Sequence, residues 1–186
     1  MNVKTVLYQN VRADILDGDV LLYRGTGFFA KMIQVVTRSK YSHTGVAAWW
    51  NNRLMVLEAV NRGVMVTPLS KNIESYHGDI EWYSAKSHLS SKRRSDMVDF
   101  AQQELGKAYD YLKAFWLGLA FLLRRPKDPN DALIKATKLF CSFYVAQIYN
   151  SVGIDLQPGL SDRHMAPEDI STSSKLIYRG ILKREI

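Results

Sequence analysis

The sequence feature that most constrains the fold is a pair of strand-like runs on either side of two asparagines. His43–Trp50 and Arg53–Val60 are rich in apolar, aromatic and β-branched residues, and Asn51-Asn52 lies between them. Asparagine tolerates the left-handed backbone that a tight hairpin turn requires. The pattern therefore predicts an antiparallel hairpin whose two-residue loop places Trp50 opposite Arg53.

Counting outward from that loop places two polar residues on one face of the hairpin. His43 falls opposite Val60 and Gly45 falls opposite Glu58, so His43 and Glu58 are diagonal neighbours. Diagonal neighbours in a sheet lie about 7–8 Å apart, within reach of these side chains, and Gly45 has no side chain to obstruct them. The pair has two interpretations: two polar groups that satisfy each other in a buried sheet, or a catalytic base and its orienting carboxylate.

The remaining elements are predicted from turn residues and apolar periodicity. A helix capped by Ser91 is expected to end at Gly106, and an apolar helix follows it up to Leu123. No helix or strand is predicted for the polar segment after Pro68. One domain is expected, because 186 residues that are 47% hydrophobic can bury a substantial core. The other predicted strands are residues 20–23, 64–66, 79–83 and about 176–182, and the other helices start at Phe28, near Cys141 and near Ala166.

Cys141 is the only cysteine of the chain and lies in the apolar run 139–145. A single cysteine excludes an internal disulfide and a cysteine-rich zinc site. A free cysteine is more often a small core residue than a nucleophile. If a helix begins close to Cys141, its dipole would lower the pKa of the thiol, whereas a helix that begins at Asp131 would not place the thiol at its N-terminus.

The net charge of +7 implies attraction to anionic partners without identifying one. The chain has two basic clusters, Lys92-Arg93-Arg94 and Arg124-Arg125-Pro126-Lys127. Neither cluster is accompanied by interleaved aromatic residues or a phosphate-binding loop, so no specific nucleic-acid binding is expected. Contact of Arg124, Arg125 and Lys127 with an anionic membrane surface is an alternative to a solvated loop. Because the first ten residues lack a signal-peptide pattern and the apolar stretch 111–123 is too short to span a bilayer, we expect a cytoplasmic protein.

Several short motifs, in this order, resemble the circularly permuted papain-like amidases of the YiiX/YaeF type. That group belongs to the NlpC-type superfamily and is related to the lecithin:retinol acyltransferase-like proteins. The resemblance covers residues 17 to about 182. The motifs that carry it are Asp17-Gly18-Asp19-Val20, Tyr41-Ser42-His43-Thr44-Gly45-Val46, Leu57-Glu58-Ala59-Val60, Gly106-Lys107-Ala108-Tyr109-Asp110, Phe140-Cys141-Ser142 and Ala166-Pro167-Glu168-Asp169-Ile170.

The resemblance implies an α+β, permuted papain-like fold, in which helices pack against an antiparallel sheet or small barrel. It implies a single domain over residues 1–186 with a helical insertion at about 111–131. Its site would consist of Cys141 as nucleophile, His43 as base and Glu58 as orienting residue, with Tyr109 and Tyr23 contacting the substrate. Such chemistry requires no metal ion or cofactor.

The function predicted from this resemblance is a cysteine hydrolase that cleaves an amide bond in a peptide, an isopeptide or a cell-wall-derived substrate. One alternative keeps the same three residues and performs acyl transfer, or hydrolyses a lipid or ester. A different class of alternative is a non-catalytic binding module in which Cys141 packs in the core and the His43-Glu58 pair is structural. The sequence leaves the substrate and the oligomeric state open.

Overall fold

The computed structural model of the chain describes residues 4–60, 63–107 and 141–184. Its strands form one open mixed sheet in the order β1-β7-β6-β2-β3-β4-β5, with β1 parallel to β7 and all other neighbours antiparallel. The α+β class is confirmed, and the sheet does not close into a barrel. The strands are β1 (Thr5–Leu7), β2 (Val20–Gly25), β3 (His43–Trp50), β4 (Arg53–Val60), β5 (Gly63–Pro68), β6 (Gly78–Ala85) and β7 (Leu176–Lys183).

The helices of the described residues lie between these strands. None of them is long and apolar enough to cross a membrane. The predicted insertion at 111–131, Tyr109 and the cluster Arg124-Arg125-Pro126-Lys127 lie outside the described residues, so the predictions made for them remain predictions. The helices are α1 (Tyr8–Val11), α2 (Phe28–Thr37), α3 (Leu69–Ser75), α4 (Ser91–Gln103), α5 (Cys141–Asn150) and α6 (Pro167–Ser171).

The hairpin of β3 and β4 has the predicted register. Trp50 pairs with Arg53, and the ladder continues with the same offset to Val46 and Leu57. Asn51 adopts a positive φ of 54°, the left-handed conformation for which asparagine is suited. Because side chains alternate across a strand, this register fixes which residues of the two strands share a face.

Apolar side chains cover both faces of the sheet. On one face the sheet packs against α4 and α5, and on the other face it packs against α3 and the N-terminal segment. A sheet that is buried on both sides explains why β2, β3 and β4 are nearly continuous apolar runs rather than alternating ones. Fully buried residues of the first core include Val46, Leu57, Met97, Val145 and Ile148, and those of the second include Leu21, Val56 and Leu69.

Several local predictions differ from the structure. The side chain of Ser90, rather than Ser91, caps α4, since its hydroxyl accepts a hydrogen bond from the Arg93 N–H at 3.3 Å. The polar segment after Pro68 folds as α3, because the fully buried Leu69 anchors it against the sheet. The strand β1 was not predicted; it is three residues long and pairs with β7, from the far end of the chain.

A buried carboxylate joins the start of β2 to β6 and α4. Asp19 is fully buried and accepts hydrogen bonds from the Trp82 indole N–H (2.8 Å), the Ser84 hydroxyl (2.9 Å) and the Leu16 backbone N–H (3.2 Å). The Arg94 guanidinium donates to it at 3.3 Å and also to the carbonyl of Asp17. This network holds the Asp17-Gly18-Asp19 turn against the helical layer.

Replacing Asp19 by alanine is expected to destabilise the protein by about 3–5 kcal/mol, because it leaves the partly buried Arg94 guanidinium and several buried donors without their acceptor. The matched control is Asp96→Ala on the same helix, whose partner Lys92 is exposed and whose loss should cost under about 1 kcal/mol. Urea denaturation of both variants measures the difference. Equal losses of stability would contradict the structural role given to Asp19.

Candidate active site

His43 and Glu58 form a hydrogen bond across the hairpin. His43 Nε2 lies 2.7 Å from Glu58 Oε2, and Glu58 is only 7% exposed. Gly45 makes this approach possible: a Cβ at that position would lie 2.6 Å from Cγ1 of Val56 and 3.2 Å from Cβ of Glu58. The glycine therefore leaves the space through which the glutamate reaches the imidazole.

The half-buried Cys141 lies at the first described residue of α5, beside the beginning of β3. Its thiol forms hydrogen bonds with the His43 imidazole and the Thr44 backbone N–H. Since Glu58 occupies Nε2 of the imidazole, Nδ1 is the ring nitrogen left for the thiol. The structure thus brings Cys141, His43 and Glu58 together in a row, with the imidazole between the sulfur and the carboxylate.

The pKa directions of this row favour a thiolate beside an imidazolium. Burial lowers the pKa of His43, but its hydrogen bonds to Cys141 and Glu58 outweigh burial and raise that pKa to about 10. Burial raises the pKa of the Cys141 thiol, whereas the imidazole and the Thr44 N–H bring it below its ordinary value. Burial also raises the pKa of Glu58, and the bond from His43 lowers it overall. Opposite charges in contact stabilise each other, which accounts for all three net directions.

Tyr23 and Asn72 support the histidine and the glutamate. The Tyr23 ring packs against the His43 ring with centroids 5.2 Å apart, and Asn72 Nδ2 donates to the Tyr23 hydroxyl at 2.8 Å. The side chains of Thr67 and Asn72 also form hydrogen bonds that lower the pKa of Glu58. These contacts fix the positions of both the imidazole and the carboxylate.

The sequence reasoning missed Thr67 and Asn72. Thr67 pairs with Val56 on the neighbouring strand, so extending the hairpin register to β5 would have placed it on the same face as Glu58. Asn72 gave no comparable signal, because it lies in α3, which was interpreted as a polar segment.

A cavity of about 400 Å³ adjoins the histidine and the glutamate. Tyr23 forms part of its wall, although only 2% of this residue is exposed. The substrate contacts predicted for Tyr23 and Tyr109 remain predictions, and Tyr109 lies outside the described residues. The cavity is lined by Tyr23, Gly25, Gly27, Ala30, His43, Glu58, Val60, Asn72, Ser75, Tyr76 and His77.

Two tyrosines anchor the helix that carries Cys141. The Tyr144 hydroxyl donates to the Ala101 carbonyl of α4, and the Tyr149 hydroxyl donates to the Gly18 carbonyl, each at 2.8 Å. The residues that precede Cys141 lie outside the described part of the chain, so the predicted effect of a helix dipole on the thiol remains a prediction.

The motif near the end of the chain positions the loop that leads into the histidine strand. Glu168, in α6, accepts a hydrogen bond from the Lys40 backbone N–H at 2.9 Å. Asp169 caps the same helix by accepting from the Ala166 N–H at 2.7 Å. The Ala166-Pro167-Glu168-Asp169-Ile170 motif is therefore tied to the segment just before Tyr41-Ser42-His43.

Comparison with known proteins assigns the chain to a family. The profile described as permuted papain-like amidase enzyme, YaeF/YiiX, C92 family, matches residues 14–115. The chain belongs to this family. Within the permuted papain-like amidases, the matched residues include His43 and Glu58, whereas Cys141 lies beyond the matched range.

Two relatives of this amidase family give further comparisons. The uncharacterized protein YiiX of Escherichia coli (strain K12) is 33% identical over 97 residues, which are 50% of this chain and 46% of that protein. The match thus spans about half the length of the curated relative. The crystal structure of metalloprotein yiiX from Escherichia coli O157:H7 superposes with a TM-score of 0.63 at 22% identity, covering 88% of this chain and 96% of that one. This second comparison supports the fold.

Glu58→Gln is expected to lower the pKa of His43 from about 10, because it removes the negative charge that stabilises the imidazolium. Titration of the imidazole by NMR measures the change. Glu74→Gln is the control, since Glu74 is exposed and pairs with Arg184 at 3.1 Å. An unchanged His43 titration in Glu58→Gln would refute the electrostatic role of the carboxylate.

Proposed function

We propose that the protein is a cysteine hydrolase that cleaves an amide bond through Cys141, His43 and Glu58. The observation that carries this proposal is the position of the His43 imidazole, which contacts the thiol and the Glu58 carboxylate at the same time. A thiol that merely packs in a core has a pKa near or above its ordinary value, because burial disfavours the thiolate. The lowered pKa of Cys141 supports catalysis over the binding-module alternative.

The proposed reaction follows the general scheme of a thiol nucleophile. His43 holds the proton of the Cys141 thiol, and the thiolate attacks the carbonyl carbon of the substrate amide. The backbone N–H of Cys141 stabilises the oxyanion of the tetrahedral intermediate. The imidazolium then protonates the leaving amine, and the C–N bond breaks to give a thioester on Cys141. His43 next removes a proton from water, which hydrolyses the thioester and restores the thiol.

Glu58 does not take part in bond making in this scheme. Its carboxylate accepts the hydrogen bond from Nε2, so that Nδ1 faces the sulfur, and its charge stabilises the imidazolium. Thr67 and Asn72 in turn hold the carboxylate. A base that is fixed in one orientation avoids the loss of entropy that a free imidazole would suffer during the reaction.

The structural relative from Escherichia coli O157:H7 is called a metalloprotein, which raises the question of a metal here. In the part of the chain that the structure describes, no group of three or more His, Cys, Asp or Glu side chains is arranged to hold a metal ion. No step of the proposed reaction runs through a metal ion.

The substrate class proposed is a peptide or isopeptide amide, in keeping with the description of the family as amidases. Acyl transfer or ester hydrolysis would use the same acyl-enzyme and differ only in the acceptor or the leaving group. A panel of matched amide and ester substrates, each with and without an added amine acceptor, distinguishes these reactions. Faster turnover of amides than of the matched esters, with water as acceptor, is the result that this proposal expects.

Cys141→Ala is expected to reduce turnover of that panel to the level of the uncatalysed reaction while leaving the denaturation midpoint close to that of the wild type. Because Cys141 is the only cysteine, alkylation of the native protein reports on this thiol alone. An iodoacetamide-type probe should add one label to the wild type and none to the variant, as measured by intact mass. Turnover that persists in Cys141→Ala would exclude this residue as the nucleophile.

A further inference from the structure

Ser142, the residue that follows the candidate nucleophile, is an exception among the buried serines. It is completely buried, and its hydroxyl has no hydrogen-bond partner of ordinary geometry among the described residues. The other buried serines of the described part each form such a bond. Ser173, for example, donates to the Leu156 carbonyl at 2.6 Å. An unpartnered buried hydroxyl lowers stability, so its presence here requires an explanation.

The neighbouring thiol of Cys141 offers an explanation for this buried hydroxyl. The Ser142 hydroxyl lies close enough to the sulfur to lower the pKa of the thiol. A neutral thiol is a weak acceptor, whereas a thiolate is an anion that accepts charge-assisted hydrogen bonds. The hydroxyl therefore gains a good partner only when Cys141 is ionised. Because Ser142 is fully buried, a direct contact with substrate is not available to it.

We infer that Ser142 is a positioning residue whose hydroxyl rotates to donate a hydrogen bond to the Cys141 thiolate. The inference rests on the proposed function, because it assigns a role in preparing the nucleophile. Together with the Thr44 N–H and the His43 imidazolium, the hydroxyl gives the sulfur three donors. The serine keeps its proton throughout, and the proton of the thiol goes to His43. When the sulfur forms a thioester it loses its charge and the hydrogen bond weakens.

The first test is the pH dependence of alkylation in Ser142→Ala. Loss of a hydrogen bond to a charged group should move the apparent pKa of the thiol upward by about one unit. At pH values below that pKa, the variant should then contain about tenfold less thiolate than the wild type. The limiting rate at high pH should not fall, since a thiolate of higher pKa is intrinsically more nucleophilic. A profile that superimposes on that of the wild type would overturn the inference.

The second test is a double-mutant cycle of denaturation midpoints in Cys141→Ala, Ser142→Ala and the combined variant. Without the sulfur, the serine hydroxyl has no thiolate to bond, so Ser142→Ala should raise the midpoint in the Cys141→Ala background. In the wild-type background, Ser142→Ala should either raise the denaturation midpoint by a smaller amount or lower the midpoint. Equal effects in both backgrounds would show that the two side chains are not coupled and would contradict the inference.

Ser173→Ala is the matched control, because Ser173 is also buried but already donates to a backbone carbonyl. It should lower the denaturation midpoint and leave the alkylation profile unchanged. The wild-type protein separates the two proposals: if its thiol titrates as an ordinary free thiol and is not preferentially labelled, the proposed function fails as well. A reactive wild-type thiol with an unchanged Ser142→Ala profile refutes the role of Ser142 alone.

Discussion

The hydrogen bond between His43 and Glu58 determines what the rest of the site can do. An imidazole has two ring nitrogens, and a carboxylate bound at Nε2 leaves Nδ1 for the thiol. Burial of the ring lowers the pKa of His43, but the hydrogen bonds to Cys141 and to the same carboxylate together outweigh burial, which is why the pKa rises although the ring is largely shielded from water. Without this bond, the thiol would lie beside a neutral His43 imidazole whose orientation is not fixed.

The fold provides this bond through the register of the β3–β4 hairpin rather than through a loop. Glu58 and His43 lie on paired strands in a sheet that is buried on both faces, and Gly45 leaves the space between them. The sulfur comes from a different layer, on a helix that tyrosine hydroxyls attach to α4 and to the turn before β2. Rigid elements on both sides suit a site in which three groups must stay aligned.

The hairpin was predictable because its geometry is local. Two asparagines fix the turn, the turn fixes the register, and the register places His43 and Glu58 on one face. Their proximity to Cys141 was inferred from the resemblance to a family, since no local rule relates residues so far apart in the chain. The predicted roles of Cys141, His43 and Glu58 remain predictions. Two of the elements that were missed depend on distant contacts: β1 exists because the last strand provides an edge for it, and α3, with Asn72, is held by one buried leucine in an otherwise polar segment.

Folding is expected to make the Cys141 thiol unusually acidic. Thiolate absorbance in the ultraviolet, followed against pH in native and in urea-denatured protein, tests this acidity directly because the chain has one cysteine. We expect the native thiol to ionise at clearly lower pH than the denatured one, which should titrate near the ordinary value of about 8.5. Coincident titration curves would contradict the thiolate–imidazolium pair and the mechanism built on it.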